Sequence, residues 1–239
     1  MTRADGRGER EIRPLRMTTN YMKNAHGSVL IELGNTRLLC SAMVAPGVPP
    51  FLEGTDKGWL TAEYAMLPAS TPQRKIREAK RPDGRNTEIS RIIGRCLRTV
   101  VDTGAFPGLT VYIDCDVIEA DGGTRTAGIT GAYAALALCA QRMLLEGMIA
   151  RSPLRDGVAA VSCGIVDGTP VLDLNFAEDS HAVADMNVAM SHSGGIIEVQ
   201  CTGERRPLKQ RELQTLLRYA EEGIEQIKAI QREVLGQNV

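Results

Sequence analysis

Aromatic residues are scarce in this chain, at 4% of 239 positions. The core must therefore be aliphatic and alanine-rich, and nucleic-acid bases would find few stacking platforms. Charge of one sign is also missing. The formal net charge is -1, which excludes a protein that coats polyanions indiscriminately. No CxxC pair occurs among the six cysteines, Cys40, Cys96, Cys115, Cys139, Cys163 and Cys201. Their even scatter predicts buried thiols in a reducing compartment rather than a disulfide framework or a zinc site. The longest apolar run, Ile129 to Ala140, is too short to span a bilayer. The opening MTRADGRGEREIRP is too polar for a signal peptide, so a cytoplasmic protein without membrane contact is the expectation. No GxSxG marks a serine nucleophile, and no Gly-Lys follows the glycines of a Walker loop.

What is present is ordinary globular material, 43% hydrophobic and 24% charged, enough for a full core in one domain spanning 1–239. Residues 28–33 and 36–44 flank Gly34-Asn35 and predict a hairpin. Residues 45–72, with five prolines, predict a loop. Helical spacing runs through 88–101, with Asn86 or Thr87 as cap. Alternation over 109–118 predicts a strand, and the small apolar residues of 127–145 predict a buried helix. A second hairpin (158–166 and 171–174 around Asp167-Gly168), a strand at 196–200 and an amphipathic helix over 208–235 complete the order. Hairpins mixed with strand–helix units predict an α/β or α+β fold with a mixed sheet, each half opening on a hairpin and closing on a helix.

Three features could carry chemistry. Asp121-Gly122-Gly123-Thr124-Arg125-Thr126 lies between a strand and a helix. Glycines there let the backbone approach an oxyanion, the helix N-terminus attracts it, and Arg125 offers a planar fork suited to phosphate. The bland alternative is a tight turn with a solvated arginine. Second, Asp179 and Asp185 flank a short connection, and two aspartates suffice for magnesium, which keeps several waters; turn and cap roles are the alternative, and Asp173 looks structural. Third, between 74 and 98 nine basic residues stand against Glu78, Asp83 and Glu88. This is either a phosphate-contacting surface or a solvated face. His181 lies between the two aspartates but has no nucleophile to pair with.

Taken together, Asp5-Gly6-Arg7, "GSVLIELGNTRLLCSA", "GWLTAEYAMLP", "EISRIIGR", "IDCDVIEADGGTRTAGITGA", "VLDLNFAEDS" and "ADMNVAM" resemble the ribonuclease PH group of phosphorolytic exoribonucleases over nearly the whole chain. The resemblance implies a ribosomal-protein-S-five-like fold in a ring-shaped hexamer, a trimer of dimers. It implies that inorganic phosphate attacks the last phosphodiester at an RNA 3′ end, releasing a nucleoside diphosphate, and that the reverse reaction adds nucleotides. Precursor tRNA is the usual substrate, with other RNA such as rRNA beside it.

Carried over residue by residue, phosphate falls to Arg85, Gly123, Thr124 and Arg125, and magnesium to Asp179 and Asp185. Catalysis falls to Arg125 with the two aspartates, Asp185 being either a metal ligand or an acid toward the leaving oxygen. Arg74 and Arg77 guide RNA. A third guiding arginine of the family would fall on Ala69, a departure, and Arg81, in a shortened 80–84 loop, is assigned to RNA in its stead. The alternative is a catalytically silent, RNA-binding ring subunit, marked by loss of these arginines or aspartates. A small-molecule phosphotransferase would need a kinase-type glycine loop, which the sequence lacks.

Overall fold

The computed structural model describes residues 3–77 and 83–236. Nine strands form two sheets. The first holds β1 (Leu15–Thr19), β2 (Gly27–Leu33), β3 (Thr36–Pro46), β4 (Trp59–Met66) and β5 (Leu109–Glu119), in the order β1-β2-β3-β5-β4. All its pairings are antiparallel except β4 with β5. The second is antiparallel throughout, with β6 (Val158–Val166), β7 (Thr169–Leu172), β8 (Ala184–Ser191) and β9 (Ile196–Thr202) in the order β7-β6-β8-β9. The mixed sheet anticipated from the hairpins is the first of these.

Among the described residues there are four α-helices: α1 (Gly84–Thr99), α2 (Thr124–Leu145), α3 (Phe176–His181) and α4 (Gln210–Leu235). Helix α2 lies between the sheets, touching β2 and β3 on one side and β6 on the other, while α4 covers the far face of the second sheet. Strand β6 shows the consequence. Every one of its residues is buried. Val158 and Ala160 point into the core shared with α2, and Ala159, Val161, Cys163 and Ile165 into the core under α4. A strand covered on both faces reads as a continuous apolar run, as this one does.

Alanine and glycine in α2 permit the close approach. At Gly27 of β2 a Cβ would fall 2.1 Å from the Ala135 carbonyl oxygen. Helix α2 is long and apolar enough to span a membrane, with mean hydropathy 1.2, but 72% of that stretch is buried inside the protein, so it is a core helix. Five of the cysteines are buried free thiols and Cys201 is partly buried.

The structure corrects several expected boundaries. The 45–72 stretch, expected to be a loop from its five prolines, contains β4, in which Leu60, Ala62 and Tyr64 alternate as buried positions. Helix α1 begins at Gly84, capped by the Asp83 carboxylate, not by Asn86 or Thr87. Strands β1 and β8 and the short helix α3 lie where no regular element was expected.

Candidate active site

Strand β5 hands the chain to α2 through Asp121-Gly122-Gly123. Both glycines have positive φ, 78° and 69°. A Cβ on Gly122 would lie 2.7 Å from the Leu174 carbonyl oxygen, so this loop presses against the segment entering α3. No side chain caps α2 at Gly123. The first peptide N–H groups of a helix so exposed favour an anion.

Thr124 opens the helix, buried, and its Oγ1 accepts a hydrogen bond from the hydroxyl of buried Tyr64 at 2.8 Å. With its acceptor side occupied, the Thr124 hydroxyl proton is directed elsewhere, and an anion is a suitable acceptor. The Arg125 guanidinium donates through Nη1 to Gln200 Oε1, and Gln200 Nε2 donates to Glu88 Oε1 at 3.0 Å. Strand β9 and helix α1 thus steady Arg125. Arg85 stands one residue into α1, its backbone N–H received by the capping Asp83 carboxylate at 3.0 Å.

The carboxylates come from the second sheet. Asp179 rides on α3, which Asn175 and Glu178 close at its N-terminus with a reciprocal capping box. Asp185 is the second residue of β8, opposite Gly164 and Thr202. Arg85, Gly123, Thr124, Arg125, Asp179 and Asp185 all line one cavity of about 240 Å³, together with Ser162, Leu174, Asn187 and Glu204. A larger cleft of about 510 Å³ lies beside β4 and α1, where Arg91, Arg95 and Arg98 face Glu63, Asp114 and Asp116. It contains none of the residues singled out for phosphate or metal. The smaller cavity has the chemistry.

Burial pushes the Asp179 carboxyl above the usual aspartate range, against the pull of Arg85 and Arg125. Asp185 is raised as well, by burial first and then by the negative charges of Asp179 and Glu204, with Arg125 opposing. Three carboxylates feel one another in a half-buried space, an arrangement that a cation relieves. Among the described residues no group of three or more His, Cys, Asp or Glu forms a ready metal cage. Two aspartates are what magnesium takes when waters and substrate oxygens fill its other positions.

The basic run divides. Arg95 pairs with Glu198 at 2.9 Å, and Arg98 stacks over the Trp59 ring while donating to the Leu60 carbonyl. These arginines hold α1 to its surroundings. Arg74 and Arg77 are exposed, in a loop whose Ser70 carbonyl receives the Ala120 N–H at 2.9 Å, directly before the glycine loop. Arg81 lies outside the described residues. His181 is exposed and its Nδ1 is within 2.9 Å of the Ser180 hydroxyl. Asp173, expected in the returning strand, lies one residue beyond β7, fully buried with positive φ of 53° and held by Arg7 and Arg13.

Sequence reading missed Tyr64, Gln200 and Glu204, and it missed three arginines of the polar N-terminus. Arg3, Arg7 and Arg13 are all buried. Arg3 clasps Glu178 of α3, Arg7 contacts Asp173, and Arg13 grips both oxygens of Asp173. Asp173 and Glu178 lie 160 or more positions away, while Asp5 is a local carboxylate partner of Arg7.

The two-sheet fold brings two arginines, an uncapped helix N-terminus and two aspartates to one cavity, an arrangement suited to holding phosphoryl groups. Comparison with known proteins gives the particular kind. Residues 11–140 match the 3′ exoribonuclease family, domain 1, and residues 156–223 match its domain 2. The chain is 52% identical to the ribonuclease PH of Moorella thermoacetica over 238 residues, 99% of this chain and 95% of that one. It is 52% identical to that of Bacillus mycoides over 237 residues, 98% and 97% of the two chains.

In structure it is similar to a subunit of the Archaeoglobus fulgidus exosome with RNA bound to the active site (TM-score 0.81, 24% identity, 95% and 91% of the two chains). It is also similar to rice Rrp46 (TM-score 0.79, 21% identity, 98% and 100%). The chain belongs to the ribonuclease PH family. It is a phosphorolytic 3′ exoribonuclease, a tRNA nucleotidyltransferase that takes RNA and inorganic phosphate as substrates.

Proposed function

We propose that the 240 Å³ cavity is where inorganic phosphate attacks the last phosphodiester of an RNA 3′ end. The observation that carries this reading is the convergence, from four separate elements, of Arg85 (α1), Gly123 to Arg125 (the start of α2), Asp179 (α3) and Asp185 (β8). Convergence of this kind has no packing motive. Arg85, Arg125, the Thr124 hydroxyl and the helix N-terminus hold the attacking dianion and offset its repulsion by the phosphodiester. An oxygen of phosphate forms the new bond to phosphorus, and the bond from phosphorus to the RNA 3′ oxygen breaks. That oxygen takes a proton and stays on the shortened RNA, and the terminal nucleotide leaves as its diphosphate. No general base is required, because the attacking dianion is already a nucleophile.

Asp179 and Asp185 would hold a magnesium ion. Bound there, it supplies positive charge to the phosphoryl oxygens as charge develops on them. The alternative role for Asp185 is donation of the proton to the leaving 3′ oxygen in place of metal binding.

Precursor tRNA carrying a short 3′ tail is the substrate we assign, guided by Arg74, Arg77 and Arg81. The protein works as a homo-oligomeric ring of six, a trimer of dimers, in line with its likeness to exosome subunits. We assign the whole chain to one domain, a reading supported by the packing of α2 against strands of both sheets. Unpaired buried thiols suit the cytoplasm.

Incubation of a tailed tRNA with the protein tests the reaction and its ion. Phosphate and magnesium together are expected to release nucleoside diphosphates, and omission of either, or a chelator, to stop it. Nucleoside monophosphates, or release unaffected by a chelator, would contradict the proposal.

A further inference from the structure

We propose that Arg13, with Thr36 beside it, is a positioning residue for phosphate: it aims the glycine loop at the cavity and locks that loop to the segment carrying the carboxylates. This rests on the reading of the cavity as the phosphate site.

Arg13 is buried, 4% exposed, and all three of its guanidinium nitrogens donate hydrogen bonds. Nε donates to Asp173 Oδ2 at 2.8 Å and Nη2 to Asp173 Oδ1 at 2.7 Å, while the Arg13 backbone N–H also reaches Oδ2 at 2.7 Å. Nη1 donates to the Asp121 carbonyl at 2.6 Å and Nη2 to the Gly122 carbonyl at 3.4 Å. Thr36, fully buried, holds the same two residues from the hairpin: its Oγ1 donates to the Gly122 carbonyl at 2.7 Å and accepts the Asp121 N–H at 2.9 Å.

The functional consequence follows from the planar trans peptide. Its N–H points opposite to its C=O. Fixing the Gly122 carbonyl toward Arg13 and Thr36 therefore turns the Gly123 N–H to the other side, and Gly123 lines the cavity. Successive N–H groups around left-handed residues form an anion-binding concavity. At Gly122 and Gly123 the backbone is free to adopt other conformations, so this orientation needs an external hold.

The other half of the guanidinium grips Asp173, only two residues before the Asn175 cap of α3. One planar group thus joins the loop that presents Arg125 to the segment that presents Asp179. A lysine ammonium has the charge but lacks the fork that serves a carboxylate and two carbonyls together.

Steady-state phosphorolysis of a tailed tRNA by Arg13→Lys and Thr36→Val, with Arg125→Ala as reference, tests this. Both variants are expected to raise KM for phosphate by about tenfold while KM for RNA stays within about twofold, since a small misplacement of binding groups is felt by the ligand they hold. A folded Arg13→Lys with unchanged KM for phosphate overturns the inference, as does an equal rise in both KM values or a fall in kcat alone. Should Arg13→Lys fail to fold, Thr36→Val, which keeps the side-chain shape, decides by the same criteria. If Arg125→Ala retains normal phosphate dependence, the cavity assignment falls and takes this inference with it. If only Arg125→Ala loses that dependence, the cavity assignment stands and the role of Arg13 falls.

Discussion

Arg125→Ala is expected to lose roughly 10³-fold in kcat/KM for phosphate, the scale at which preorganised donors to a transferring phosphoryl group contribute. Arg125, at the mouth of α2, bears electrostatically on both aspartates. Its removal takes away two or more charge-assisted donors and leaves Asp179 and Asp185 facing an incoming dianion with less compensation. Gel-shift affinity for a tailed tRNA should stay within about threefold, if the backbone phosphates of the RNA fall to the outlying arginines as proposed. The melting temperature should hardly move, since Gln200 and Glu88 remain bonded to each other. Wild-type turnover at saturating phosphate would sink the assignment of Arg125.

Asp185→Asn should cost on the order of 10²-fold or more in kcat and should not destabilise the protein. The sign of the stability change is informative. In the folded protein the charged form of Asp185 is disfavoured by burial and by Asp179 and Glu204. Asparagine of the same shape removes that repulsion, so the melt should hold or rise, as it does where a site is built at the expense of stability. A collapsed melt would make Asp185 structural. Magnesium titration then separates its two roles. Recovery of rate at high magnesium marks a lost ligand, whereas a rate deficit that no magnesium concentration repairs marks a lost proton donor.

Much of this was legible in the sequence, for reasons that can be named. The glycine-opened α2 was readable because its signals are local: two glycines, a threonine and an arginine between a strand and an apolar helix. β4 and β8 were not. In β8 the alternation Ala-Asp-Met-Asn-Val is present, with Ala184, Met186 and Val188 buried and Asp185 and Asn187 on the face that lines the cavity. Reading Asp179 and Asp185 as flanking a short loop hides it. α3 is six residues long, too short for any helical period to register.

The buried arginines failed for a different reason. Arg3, Arg7 and Arg13 look like a solvated tail, and only tertiary structure brings Asp173 and Glu178 to them. Asp173 itself sits in a left-handed conformation, offset by Arg7 and Arg13. Composition gave the low aromatic content its correct meaning as well: the two cores are filled by Ala, Val, Ile, Leu, Cys and Met, with Tyr64, Phe106, Tyr133 and Tyr219 as their large aromatic residues.

The central claim is that one cavity holds the attacking phosphate, and a crystal structure of the protein grown with phosphate tests it most directly. The account predicts one phosphate ion in the 240 Å³ cavity, bonded to Arg85, Arg125, the Thr124 hydroxyl and the N–H groups that open α2. Phosphate bound at full occupancy elsewhere, with only water against Arg125, would contradict it.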